Sequence, residues 1–154
     1  MHKLACLLAL VALVAPLSAK DSLGVYSDWA AFSDGDAQNC YAIAKATNRD
    51  LGVAYATIAT WPARNVRNQI HIKLSREAPA SGRVRLRVGR AGFNLVAEGR
   101  SAWAEDRQMD AAIVAALRSA NSMQVRVRGY TDRYNLSGVA TAMDAAVIGC
   151  SRRG

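Results

Sequence analysis

The sequence predicts a mainly β fold, an antiparallel β-sandwich of the immunoglobulin-like kind with two short α-helices. Three observations predict it. Seven short segments alternate apolar with polar residues, turn-forming residues separate them, and two later stretches repeat their apolar residues at helical spacing instead.

The alternation, with its β-branched and aromatic enrichment, places strands at 25–32, 40–46, 53–61, 66–74, 84–88, 93–97 and 123–130. Asp34-Gly35-Asp36 breaks the first two apart and Asn48-Arg49-Asp50 the next pair. Pro79-Ala80-Ser81-Gly82 precedes the fifth, and Arg90-Ala91-Gly92 reads as a tight hairpin. So many short strands with frequent turns argue for an antiparallel sandwich or barrel. The first helix shows one apolar stripe of Met109, Ile113, Ala116, Leu117 and Ala120, with Asp106 placed to cap it and Asp110 near its positive end. The second starts after Ser137 and carries Val139, Met143, Ala146, Val147 and Cys150, with Gly149 expected to loosen its end. That stripe points Cys150 toward the sheet holding Cys40.

A chain of 154 residues has room for one domain with a real core. The first nineteen residues read as a secretory signal. Met1-His2-Lys3 makes a short basic start, residues 4–17 form an apolar run, and Ser18-Ala19 offers small residues for cleavage before Lys20. About fourteen apolar residues fall short of the roughly 20 that span a bilayer, so the segment predicts export rather than anchoring. The expected organisation is a signal peptide at 1–19 and a single β-sandwich domain at 20–154, with no transmembrane segment in the mature chain. The expected location is the periplasm or the extracellular space. Cleavage would leave Cys40 and Cys150, and an even cysteine count in an exported chain is the pattern of a disulfide. Free buried thiols, or a pairing between chains, are the alternatives.

The formal charge of +8 is the most informative surface property. Arg83, Arg85 and Arg87 alternate with Val84, Leu86 and Val88, and Arg126 and Arg128 alternate with Val125 and Val127. Arg67, His71 and Lys73 interleave with Val66, Ile70, Ile72 and Leu74 in the same way. The pleat sends the apolar members to the core and the cations to water, so neighbouring strands of this kind would build a cationic sheet face. Such a face suits phosphate-bearing envelope sugars, anionic lipid headgroups or an acidic protein. It also suits plain solubility and protection of strand edges.

Other chemistries find little support. Nucleic-acid binding needs aromatic rings among the cations, and only Tyr130 stands near Arg126 and Arg128. Metal binding is not expected, because the mature chain keeps one histidine and two widely separated cysteines. A hydrolytic triad would have to use His71 with Ser75 or another serine, and no G-x-S-x-G elbow occurs. Asp28, Asp34, Asp36, Glu105, Asp106 and Asp110 sit at turns or helix starts, where carboxylates act as caps. Neither a phosphate loop nor a dinucleotide fingerprint is present, and no cofactor is expected. Trp29, Trp61 and Trp103 each lie in or beside an alternating segment and are expected to anchor the core.

The order of several segments carries a resemblance: Ser27-Asp28-Trp29, then Asn39-Cys40-Tyr41, then Trp103 with the run from Asp110 to Arg118 before a strand. Asp132-Arg133-Tyr134-Asn135-Leu136-Ser137-Gly138-Val139, Ala142-Met143-Asp144-Ala145-Ala146 and a final Cys150 follow. This pattern resembles the invasion-associated locus B family of exported alphaproteobacterial proteins, as a divergent member. The resemblance implies a β-sandwich with short helices and a periplasmic or surface role, tied in some pathogens to host-cell entry, without a defined catalytic activity. Many members have a cysteine four residues after the first tryptophan, where this chain has Ser33, so their disulfide pairing does not transfer.

The functional expectation is therefore a monomeric, non-catalytic envelope protein acting through surface contacts with an envelope component or another protein. An anion-binding module built on Arg83, Arg85, Arg87, Arg126 and Arg128, for lipopolysaccharide or another anionic glycolipid, is the alternative. A small hydrolase around His71 comes last.

Overall fold

In a computed structural model the described residues are 20–48, 52–80 and 83–152. The expected signal segment 1–19 lies outside them, as do Arg49 and Asp50 of one expected turn and Ser81 and Gly82 of another. Among the described residues there are ten strands: β1 (Asp21–Tyr26), β2 (Trp29–Asp34), β3 (Asn39–Lys45), β4 (Tyr55–Trp61), β5 (Val66–Lys73), β6 (Val84–Val88), β7 (Ala91–Glu98), β8 (Ser101–Trp103), β9 (Ser122–Val127) and β10 (Tyr130–Asn135). Two helices follow the expected stripes, α1 (Arg107–Ser119) and α2 (Val139–Ser151). The fold is thus mainly β and antiparallel with two helices.

The strands form one sheet in the order β1-β2-β3-β4-β5-β8-β7-β6-β9-β10. It has two hydrogen-bonded segments that meet within β7. Residues 91–95 of that strand pair with β6, and residues 96–98 pair with β8. Both helices lie on the buried side: α2 packs on β1 to β4, α1 on β5, β6 and β7, and the helices touch each other. Arg118 of α1 holds Asp144 of α2 through an exposed ion pair.

Most inward positions of β2, β3 and β4 are small, with Ala31, Ala42, Ala44 and Ala56 all buried beside the larger Trp29 and Ile58. Their size has a partner on α2, whose buried side is largely Ala142, Ala146 and Gly149. Small residues on both surfaces let the helix backbone approach the sheet closely. Gly149 shows how closely, because a Cβ there would run into the Leu23 side chain of β1. The helix continues through Gly149 to Ser151, so this glycine serves packing and not termination. Elsewhere the inward residues are larger: Ile70 and Ile72 of β5, Leu74 just after it, and Val84, Leu86, Val88, Met123 and Val125 of the other segment are at most 1% exposed.

Three strands beyond the seven expected arise from two-residue hairpins and one short element. Residues 25–32 form two strands, because Tyr26 pairs with Trp29 around Ser27-Asp28, and Ser27 takes a φ of +54°. Neither residue is the asparagine or glycine that marks such turns. Val127 likewise pairs with Tyr130 around Arg128-Gly129, and the glycine supplies the φ of +91° that an L side chain resists. The third addition is the three-residue β8.

Asp106 caps α1 by accepting the Met109 N–H at 2.7 Å, as expected. Asp110 does more than complement the helix. It is buried and accepts the Ile70 N–H of β5 at 2.9 Å, next to the irregular pairing of β4 with β5. Burial pushes its carboxyl above the usual range, opposed by that hydrogen bond.

β10 closes the bent sheet onto its first segment. Asp132, fully buried, accepts the Ser75 N–H at 3.0 Å and the Asn48 side-chain amide at 3.2 Å. Asn48 in turn accepts the Arg133 N–H at 2.8 Å, and the Thr47 N–H donates to the Arg133 carbonyl at 2.7 Å. Trp29 is the core anchor expected of it, wholly buried with its indole N–H on the Asn135 carbonyl at 2.9 Å. Trp61 and Trp103 are a correction: both alternate to the outer side of the sheet and are half-exposed.

Cys40 of β3 and Cys150 of α2 stand at disulfide distance, with Cα atoms 5.6 Å apart and 110 residues between them. Replacing both by alanine is expected to lower the unfolding free energy by about 4 kcal/mol, through the released loop entropy of the unfolded chain. Denaturant titration of oxidised wild type against the double variant checks this. Asp110→Ala should cost about 1–3 kcal/mol by orphaning the Ile70 N–H. Asp110→Asn, which keeps an acceptor and removes a buried charge, should stay within about 1 kcal/mol of wild type. Equal losses in the two variants would contradict the role given to that bond.

Candidate anion-binding face

β6 and β9 are neighbours, so the arginines that alternate along each are brought onto one outer surface. The register places Arg85 directly opposite Arg126 and Arg87 opposite Gln124. Adding the flanking strands gives two rows across the face. One runs Asn94, Arg85, Arg126, Thr131, and the other Gly92, Arg87, Gln124, Arg133. Neither row contains a carboxylate. Arg83 and Arg128 are exposed just beyond the adjoining ends of these two strands, Arg83 before β6 and Arg128 in the turn that follows β9.

Arg85, Arg87 and Arg126 therefore share one face, Arg83 and Arg128 flank it, and β10 adds Arg133, which the sequence reading missed. Alternation of Thr131, Arg133 and Asn135 was the available signal, hidden once the strand was ended at residue 130. The third cationic strand does not join them. β5 is separated from β6 by β8 and β7, so Arg67, His71 and Lys73 belong to the other segment.

A polar hollow of about 130 Å³ lies among Arg87, Gly89, Ser122, Gln124 and Arg126, a size suited to a single phosphate or carboxylate group. Its guanidiniums make few internal contacts. Arg87 Nε donates to the Gly89 carbonyl at 3.2 Å and Arg126 Nη2 to the Gln124 amide oxygen at 3.4 Å. Like charges facing each other across a strand pair destabilise it by up to about 1 kcal/mol. An anion between Arg85 and Arg126 converts that repulsion into charge-assisted hydrogen bonding, which is the chemistry this surface offers.

His71 lies on the outer side of β5, half-buried, with Thr57 and Trp103 opposite on its two neighbouring strands. Ser75 is not positioned by it. The Ser75 N–H is held by Asp132, and its Oγ has no hydrogen-bond partner. Among the described residues no group of three or more His, Cys, Asp or Glu side chains gathers to hold a metal ion, and no helix is long and apolar enough to cross a membrane.

Burial, and then the nearby Lys73 charge, push the His71 imidazole below its ordinary value of 6.5. A depressed histidine favours folding above its unfolded pKa and loses that contribution as pH falls through the folded one. Imidazole resonances followed by NMR should therefore titrate with a midpoint below 6.5, and His71→Gln should flatten the fall in stability on the acid side. A midpoint at or above the unfolded value would contradict the environment described.

No model of a known protein family matches this chain, and comparisons with curated proteins and with solved structures find no match either.

Proposed function

We propose that this is an exported, non-catalytic binding protein that works through the arginine face of β6, β9 and β10, holding a polyanion such as an anionic envelope glycolipid. The carrying observation is the placement of Arg85 directly across from Arg126 in two rows free of carboxylates. A face kept only for solubility would interleave both signs of charge.

Three features support the compartment. The N-terminal apolar run has the form of a cleavable signal. Cys40 and Cys150 lie at disulfide distance, as befits an oxidising space. The excess of positive charge, of which cleavage removes only Lys3, attracts the anionic surfaces of an envelope. Membership of the invasion-associated locus B family, as a divergent member, is part of this proposal and rests on the segment from Asp132 to Val139 and the closing cysteine.

The test is binding of purified lipopolysaccharide and of heparin across a salt series. Affinity should fall steeply with salt. Arg85→Gln combined with Arg126→Gln should weaken binding at least about tenfold and make the log–log salt slope shallower by roughly two. Arg118→Gln, on the helix pair, should leave both unchanged. A double variant that binds like wild type would remove the proposal.

A further inference from the structure

The first segment of the sheet presents a different outer surface. Under α2 most inward positions are small, and three bulky aromatic residues stand outside: Tyr41 of β3 and Tyr55 and Trp61 of β4, all half-exposed. Tyr41 is registered opposite Ala59, and Ala59 opposite Gln69. Ala59 is only 4% exposed although it points outward, because the larger side chains around it form the walls of a hollow for which it is the floor. That hollow is open and measures about 490 Å³, within the range of small-ligand sites.

Between the rings stand neutral polar groups. Asn39 and Gln69 offer amides, and His71, largely uncharged at neutral pH, offers its imidazole. The cation at the rim, Lys20, faces Asp34 at 3.6 Å, so the hollow has little net charge to offer. Arg64 sits 5.8 Å above the Trp61 ring centroid and steadies the indole by cation–π attraction. From Tyr55 to Trp61 the strand rises about 20 Å, longer than one small molecule needs.

We propose that this hollow binds a neutral saccharide chain, with Tyr41, Tyr55 and Trp61 stacking on the apolar ring faces of successive sugars while Asn39, Gln69 and His71 hydrogen-bond their hydroxyls. A saccharide presents apolar faces and hydroxyl edges in such close alternation. An acyl chain requires continuous aliphatic lining, and here Ile43 is the one large aliphatic side chain. A polyanion requires free cations, and the one lysine or arginine in this lining, Lys20, is already paired with Asp34.

The experiment is an NMR and tryptophan-fluorescence titration of the oxidised mature protein with an N-acetylglucosamine tetramer and with a glucose hexamer at millimolar concentration. At least one should shift the Trp61 indole N–H and the Tyr41 and His71 ring signals, with little dependence on salt. Trp61→Ala should weaken that binding about tenfold and Trp61→Phe should restore most of it. The double variant Arg85→Gln, Arg126→Gln should bind the sugar as wild type does, so the two surfaces succeed or fail independently. Shifts absent with both glycans, or confined to residues away from Trp61, would overturn the assignment.

Discussion

The closure of the bent sheet by Asp132 is the constraint on which the remaining geometry depends. A ten-stranded antiparallel ribbon with helices on one side has two free ends, and one of them, β10, must be fastened to something other than a neighbouring strand. Asp132 fastens it by accepting one backbone and one side-chain donor from loops of the first segment. Asn48 and Thr47 complete the junction on the Arg133 backbone. An acidic side chain wholly buried without donors would cost several kcal/mol, so the junction forms as a unit or not at all. With β10 fixed, β9 and β6 are fixed beside it, and so is the direction in which their arginines point.

Packing on the other side follows a different rule. α2 lies over alanines, and the closeness of that contact is set by what both surfaces lack. The consequence reaches the exterior: apart from Trp29 and Ile58, β2 to β4 give the core small side chains, and Tyr41, Tyr55 and Trp61 stand on the outside. One sheet thereby acquires an aromatic exterior in the segment under α2 and a cationic exterior in the segment of β6 and β9, where valines and leucines fill the interior.

Those two segments differed in how readable they were. Val84 to Val88 and Met123 to Val127 obey the ordinary rule of large apolar residues inward and charges outward, so both their strands and their arginine side were legible from alternation. So were both helices, whose stripes are long enough for periodicity to decide. β2 to β4 mislead because alanine against tyrosine reads as a weak alternation with the aromatic taken for the core. This is why Trp61 was assigned inward while its strand was placed correctly. The turn at Ser27-Asp28 was invisible for a simpler reason, since a serine in the left-handed region has no compositional mark. The role of Asp110 was half legible. Its place near a helix start was evident, but the β5 amide it holds lies 40 residues away in sequence and only the tertiary structure brings them together.

The long reach of the cysteine pairing has a temporal side. Cys40 lies in the third strand, whereas its partner lies in the last helix, so 110 residues separate their appearance during synthesis. At ordinary elongation rates that interval is on the order of 5–20 s. Throughout it the early thiol lacks Cys150 and α2 is not yet there to cover the alanine surface. A nascent copy is then open to cross-linking with another chain, and timely oxidation becomes a matter of order as much as of redox environment.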